Sequence, residues 1–471
     1  MIGFEITPGL HPTCGAWGCN PATTAVDLPL LSRCLVLSQD DRLLVWFSLD
    51  LVGESPEVTD ARRDEIAEAL DLTRDQVLWT TDQNHSSGAL PRSLFTGCVY
   101  HDLSKQDADF MKAEDKRLMS SAIEAAREGI SRLQPASLRV GRGYCATASF
   151  NTRSVLPNGR FKFVRHHAEA ALSGQPIDPT IGLVRFDDVK GRAIGVIFNF
   201  AAHPATILNG KVISSDYVGW ARQGIEQAIG GAPTMFCQGF CSDINCYHMF
   251  GTVDDARRTG QRLGRAAVEG LATLIPARSE PFDFAYKTIE LQCQPILGRE
   301  DYQKDLAAMQ EFLDELQTDP YLCWCCGMNL PLQVAPEQRV QIIQTKMAHR
   351  QAGLRILESG KLPPSSVPIR LGAVRIGDVG MFLSPGENFV QIGLDIRARS
   401  PFVHTLLCGE TCGLFGNIGT DAAIDQGGYG TDSYYEVLQF ADFRLPPAKG
   451  SAGRITNTAV ELLNVLWKKG P

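Results

Sequence analysis

The chain has 471 residues, of which 44% are hydrophobic and 21% charged, so it holds enough apolar material for a large buried core. A net charge of −8 with no basic run excludes an electrostatic nucleic-acid footprint. No apolar run approaches the roughly 20 residues that a membrane span needs, so neither nucleic acid nor membrane is expected as a partner.

Met1-Ile2-Gly3-Phe4-Glu5 lacks the charged start and long apolar segment of a secretory leader, which makes a cytoplasmic location the expectation. The 14 cysteines are then expected as free thiols. Residues 27–52 read as two strands, the second a near-continuous apolar run interrupted by Asp50, which is either a strand-end cap or a pocket residue. A helix is predicted over 59–70 and a strand over 76–81. That strand runs into Asp82-Gln83-Asn84-His85-Ser86-Ser87-Gly88, a polar loop of the kind that carries function.

A long amphipathic helix is predicted over 107–129, strands and hairpins over 136–200, and a turn at Asn158-Gly159. Ser214-Ser215-Asp216 caps a helix that runs to about residue 229. Further helices are expected over 253–275, 299–318, 336–359 and 455–467, with a strand over 374–383 and an irregular Gly-rich segment over 421–435. Residues 296–365 read as a helical insertion, and its Cys323-Trp324-Cys325-Cys326 lines either a lid or a homo-oligomer contact.

The organising stretch is 235–247, MFCQGFCSDINCY, an apolar strand followed by a turn that gathers Ser242, Asp243 and Asn245. Two other stretches pair with it: 198–204, ending in His203, and Leu383-Ser384-Pro385-Gly386-Glu387. Cys237, Cys241, Cys246 and His248 cluster on the turn at a spacing that fits no standard zinc motif, which leaves core packing, metal binding or a thiol nucleophile open. His166 and His167 read as rim or surface residues.

Five motifs then occur in order: Ile6-Thr7-Pro8; 199–204 followed by Ser214-Ser215-Asp216-Tyr217-Val218-Gly219; the turn 238–245; Pro385-Gly386-Glu387; and Gly427-Gly428-Tyr429. This series resembles the catalytic domain of the neutral, non-lysosomal ceramidases over nearly the whole chain. The resemblance implies an α/β fold of multilayer mixed sheets flanked by helices, one catalytic domain over 1–471, and no C-terminal β-sandwich. It also implies a zinc-dependent amidase whose metal is held by two His, a Glu and a Tyr. Carried over by motif, His203 takes the place of one His ligand, Glu387 that of the Glu, Tyr429 that of a second tyrosine and Arg153 that of an arginine at the scissile carbonyl.

The departures fall on the metal. Aligned without a gap, the family's HTHSG places Gln83 at the first His and His85 at the second. Asn417 stands at the tyrosine ligand and Asn245 at the serine of the turn. Zinc is therefore a candidate cofactor held by His203 and Glu387, with His85 or Asp243 completing the set, with an oxygen-preferring metal in its place, or with no metal at all. The expected catalytic groups are Asp243, Glu387, His203, Tyr429 and His85. Arg153, Gln83, Asn245, Asn417 and Asp82 are expected to bind substrate. The favoured reading is an intracellular hydrolase acting on a C–N bond of a small polar substrate. The alternatives are a metal-independent glycoside hydrolase using an Asp/Glu pair and a non-catalytic binding protein on a degenerate fold.

Overall fold

The computed structural model describes the chain apart from residues 11–22, 89–104, 156–158, 160, 172, 209–210, 323, 326–327, 330–335, 433–442 and 469–471. Asn158, Cys323 and Cys326 lie outside the described residues.

Three larger sheets form the body. The first orders Ile2–Glu5, Leu31–Gln39, Arg42–Leu49 and Val77–Thr81 from edge to edge. The second orders Thr234–Gln238, Ala193–Phe200, Thr180–Asp187, Ser137–Tyr144 and Ile275–Ala277. The third orders Phe282–Gln292, Ser366–Ile376, Val379–Leu383 and His404–Cys408. Their inner strands are buried on both faces, which is why the sequence runs apolar without alternation: Val45, Trp46, Phe47, Ile197, Phe198 and Met381 are all fully buried.

Each sheet contains one parallel pair at an end: Arg42–Leu49 with Val77–Thr81, Ala193–Phe200 with Thr234–Gln238, and Val379–Leu383 with His404–Cys408. A parallel pair needs a crossover connection, and each pair has a helix in it: Pro56–Leu70, Asp216–Ala228 and Val390–Arg399 respectively. The three parallel pairs meet edge to edge. Thr81 N donates to Glu410 O at 3.2 Å, Gly409 N to Gln238 O at 2.9 Å and Cys412 N to Trp79 O at 2.7 Å. Asn199 joins the second sheet to the third: its Nδ2 donates to Cys237 O and Leu407 O, both at 2.8 Å, and its Oδ1 accepts from Leu407 N at 3.4 Å.

Several expectations are revised. The strand expected over 374–383 is two strands that reverse at Gly377-Asp378. Gly377 has φ +56°, and a Cβ there would lie 1.8 Å from Arg278 O, so only glycine fits the reversal. The helix expected over 253–275 ends at Leu271, because Ile275–Ala277 leaves it to join a sheet edge. The Gly-rich segment after 421 opens with a short helix, Asp421–Gln426, capped by Thr420. Helices Arg299–Glu315 and Pro336–Ser359 pack together through Met309, Phe312, Ile342 and Ile343. They connect two strands that are themselves antiparallel neighbours. Among the described residues no helix is long and apolar enough to cross a membrane.

Replacing Asn199 by Ala strands several buried backbone groups at once. Such groups cost about 1–3 kcal/mol each when left unpaired, so the variant should lose on the order of 3 kcal/mol in urea unfolding with the denaturant slope unchanged.

Candidate active site

The carboxyl ends of the parallel strands converge, and the loops that leave them carry the polar residues. After Val77–Thr81 comes Asp82, whose N–H donates to Leu49 O at 3.2 Å. Gln83 follows in the left-handed region, φ +60°, which turns its side chain back to place Oε1 3.2 Å from His85 Nε2. After Ala193–Phe200 the chain reaches His203. Its Nδ1 donates to Ile244 O at 3.0 Å, so Nε2 is the free-electron-pair nitrogen in the neutral ring, and this nitrogen lies 3.4 Å from Glu387 Oε2. The His85 and His203 ring centroids are 5.7 Å apart. Gln238 fixes the two loops to each other, with Nε2 donating to Asp82 O at 3.1 Å and to Ala202 O at 2.9 Å. Gly239 then passes so close to Ala201 that a Cβ would meet its Cα at 2.9 Å.

Glu387 and Asn417 are register partners in a short parallel pair. Asn417 Nδ2 donates to Glu387 Oε2 at 3.2 Å and also to Ser242 Oγ. Glu387, Asn417 and Ser242 thus form one hydrogen-bonded string with the His203 ring against its Glu387 end, all buried. His203 and Asn245 pair through a parallel β-bridge, so Asn245 lies at the same strand end. Tyr429 stands edge-on to Phe163, ring centroids 4.9 Å apart. Burial first, and then the Glu387 charge, push its phenol pKa up, so it keeps its proton.

Two expected groups have other work. Asp243 Oδ1 accepts from Val390 N at 2.8 Å, which caps the helix Val390–Arg399, and Oδ2 accepts from Asn151 Nδ2 at 2.9 Å. Both Asp243 oxygens thus bond the frame, and the side chain caps the helix. Arg153 donates to the carbonyls of Tyr429, Gly427 and Ala423 at 2.9, 3.1 and 3.3 Å. It holds the loop that carries Tyr429, and burial pushes its pKa down to about 10. Asp50 is a strand-end residue that accepts from Leu31 N and pairs with Arg222. Asp216 accepts from Thr206, Ile207 and Tyr217 N–H groups and so fixes the loop after His203.

The cysteines of the turn are inert by surroundings. Cys241 is buried, and burial together with the Glu410, Glu387, Asp243 and Asp82 charges pushes its thiol pKa well up. Cys246 accepts from Thr206 Oγ1 and donates to His248 O. His166 stacks on His167, and His167 on Tyr247, at centroid distances of 4.3 and 3.8 Å.

Glu410, directly after His404–Cys408, is absent from the sequence-based expectations. It is 1% exposed, and neither carboxylate oxygen has a hydrogen-bond partner among the described residues. Burial, then the Glu387 and Asp82 charges, hold its pKa well above the usual carboxylate range; burial does the same to Asp82. The available signal was an acid ending a short apolar run, Leu406-Leu407-Cys408-Gly409-Glu410.

The donor set does not fit a catalytic zinc. Such a site takes three His, Cys, Asp or Glu ligands plus water, and no three such groups among the described residues come together to hold a metal. His203 and Glu387 meet, but Gln83 and Asn417 beside them are neutral amides, and Asn417 donates to the very oxygen that faces His203.

The chain matches no family model, and no curated protein matches it significantly in sequence. Its structure is similar to solved ones, among them these two. One is a ceramidase complexed with C2, at a TM-score of 0.68 and 16% identity, covering 100% of this chain and 75% of that chain. The other is the neutral ceramidase from Pseudomonas aeruginosa, at 0.65 and 16%, covering 100% of this chain and 74% of that chain. The chain thus has the mixed α/β ceramidase fold.

Two predictions follow from the bonding. Asp243→Ala should lower the melting temperature by several degrees through the lost cap, with the activity per folded molecule changed far less. His85, whose pKa burial lowers to about 3 from an ordinary 6.5, is neutral when folded and protonated when unfolded between those values. The unfolded state binds more protons there, so His85 makes stability fall as pH drops from 6.5 towards 3. A urea-unfolding series over that range should show a shallower acid decline in His85→Asn than in the wild type.

Proposed function

We propose that the protein is a hydrolase that cleaves a C–N amide bond of a small polar substrate, with Glu387 and His203 moving the protons. The 3.4 Å contact between His203 Nε2 and Glu387 Oε2, at the converging strand ends of a ceramidase-like fold, carries this reading. In outline, water attacks the amide carbonyl carbon as Glu387 takes its proton. The proton then passes to the leaving nitrogen as the C–N bond breaks, giving a carboxylic acid and an amine. His203, held in one orientation by Ile244 O, shares the proton with Glu387. The protonated phenol of Tyr429 supplies a donor for the developing oxyanion. Asn417 holds Glu387 and Ser242 in register, and Gln83 orients His85. No step is routed through a metal, because the donor set does not fit one.

The glycosidic alternative pairs Glu387 with Asp243 as acid and base. The two structural hydrogen bonds that Asp243 accepts, from Val390 N and Asn151 Nδ2, weigh against that pairing.

The test is a panel of N-acyl amines with amine release followed by mass spectrometry. Glu387→Gln should reduce kcat by roughly 10²–10⁴-fold with an unchanged melting temperature. The wild-type rate should survive EDTA. Full activity in Glu387→Gln, or loss on chelation with recovery on adding zinc, would overturn the assignment. Tight binding of amides with no turnover would make the protein a binding module.

A further inference from the structure

We propose that Glu410 and Asp82 form a subsite for a primary ammonium group, carried by the substrate beside the His203–Glu387 pair. Only the word "substrate" rests on the amide-hydrolase reading; the cation site stands on its own geometry.

Glu410 lies where the three sheets meet. Its carbonyl accepts from Thr81 N at 3.2 Å, which puts it next to Asp82, and Gly409 N is bonded to Gln238 O at 2.9 Å. The residue adopts φ +49°, a conformation that an L side chain rarely takes and that strained functional positions often show. Both carboxylate oxygens are buried without a hydrogen-bond partner among the described residues, and so are Asp82 Oδ2 and Gln238 Oε1. All of these atoms can accept from a charged donor. A carboxylate enclosed without a donor is strongly unfavourable, so the fold retains here a demand for N–H or O–H groups that the described side chains do not meet.

The neighbouring cation does not meet it. Arg222 directs its guanidinium at Asp50. Other buried acids of the chain are matched internally, as Glu54 is by Arg62. A compact metal ion needs several ligands converging at one point, and no group of three His, Cys, Asp or Glu does so among the described residues. An ammonium group suits the arrangement better. It offers three N–H donors, accepts separated acceptors at about 2.7–2.9 Å, and brings one positive charge to a wall of carboxyls whose mutual proximity disfavours ionisation.

Thermal melting and calorimetric titration of the full chain test this with n-butylammonium chloride, n-butanol, and the chlorides of Mg2+ and Ca2+. Saturable stabilisation by n-butylammonium but not n-butanol is expected, with affinity reduced about tenfold or more in Glu410→Gln. In hydrolysis, acetamides of diamines with one free ammonium should exceed N-butylacetamide in kcat/KM through KM, and Glu410→Gln should erase that preference. Should Glu410→Gln fail to fold, Asp82→Asn provides the same comparison. Equal binding by wild type and variant, equal effects of n-butylammonium and n-butanol, or stabilisation by divalent metals alone would overturn the subsite. Hydrolysis without any ammonium binding sinks the subsite and leaves the amidase reading. Ammonium binding without hydrolysis supports the subsite and sinks the amidase reading.

Discussion

The side chain of Gln238 holds the site together. Where three parallel strand pairs end at one point, the last carbonyls of each strand have no ladder partner, and buried carbonyls must find a donor elsewhere. Gln238 Nε2 reaches Asp82 O and Ala202 O, so one neutral amide sets the distance between the loop carrying Gln83 and His85 and the loop carrying His203. Asn199 does the same between the second and third sheets. A neutral amide suits this work because it offers donors without a charge that must itself be compensated in a dry interior. The loops that carry His85 and His203 inherit their spacing from the first of these bridges.

The frame and the site treat charge differently. In the frame, acids are matched: Asp50 with Arg222, Glu54 with Arg62, Asp178 with Arg397. Such pairs, once buried, tolerate little movement, because removing either partner leaves an uncompensated charge. At the strand ends the balance is deliberately unequal. Among the described residues no lysine or arginine pairs with Glu410; burial first, and then the Glu387 and Asp82 charges, raise its carboxyl, while burial and then the Asp50 charge raise that of Asp82. The stability of the matched pairs lets the fold carry this local conflict.

Much of the frame was legible in the sequence because burial writes a local signature. The apolar runs at 42–52, 76–81 and 194–200 read as strands, found at 42–49, 77–81 and 193–200, and the polar loop after residue 81 read as functional. His203, Glu387, Asn417 and Gln83 were found by motif and do converge. What failed to show was anything that depends on partners far along the chain. Asp243 is a cap only because Val390, 147 positions away, begins a helix there. Arg153 points at carbonyls some 270 positions on. Glu410 was passed over because the three apolar residues Leu406-Leu407-Cys408 are too short a run to announce a strand, and because nothing local says that its neighbours will be other acids.

The amides at 83 and 417 bear on mechanism through what they do to Glu387. Asn417 Nδ2 donates to the Glu387 oxygen that faces His203 and so fixes its direction. In the proposed reaction that oxygen takes the proton from water. Polarisation of the substrate carbonyl must then come from groups that stay protonated at neutral pH, and burial arranges this for Tyr429 by disfavouring phenolate. Burial likewise keeps His85 neutral, so its ring offers a hydrogen bond without adding a positive charge that would pair with Glu387 and weaken it as a base. In the proposed reaction Glu387 is thus flanked by neutral donors, and the Glu410 and Asp82 carboxyls, which burial disfavours as anions, are left to the ligand to answer.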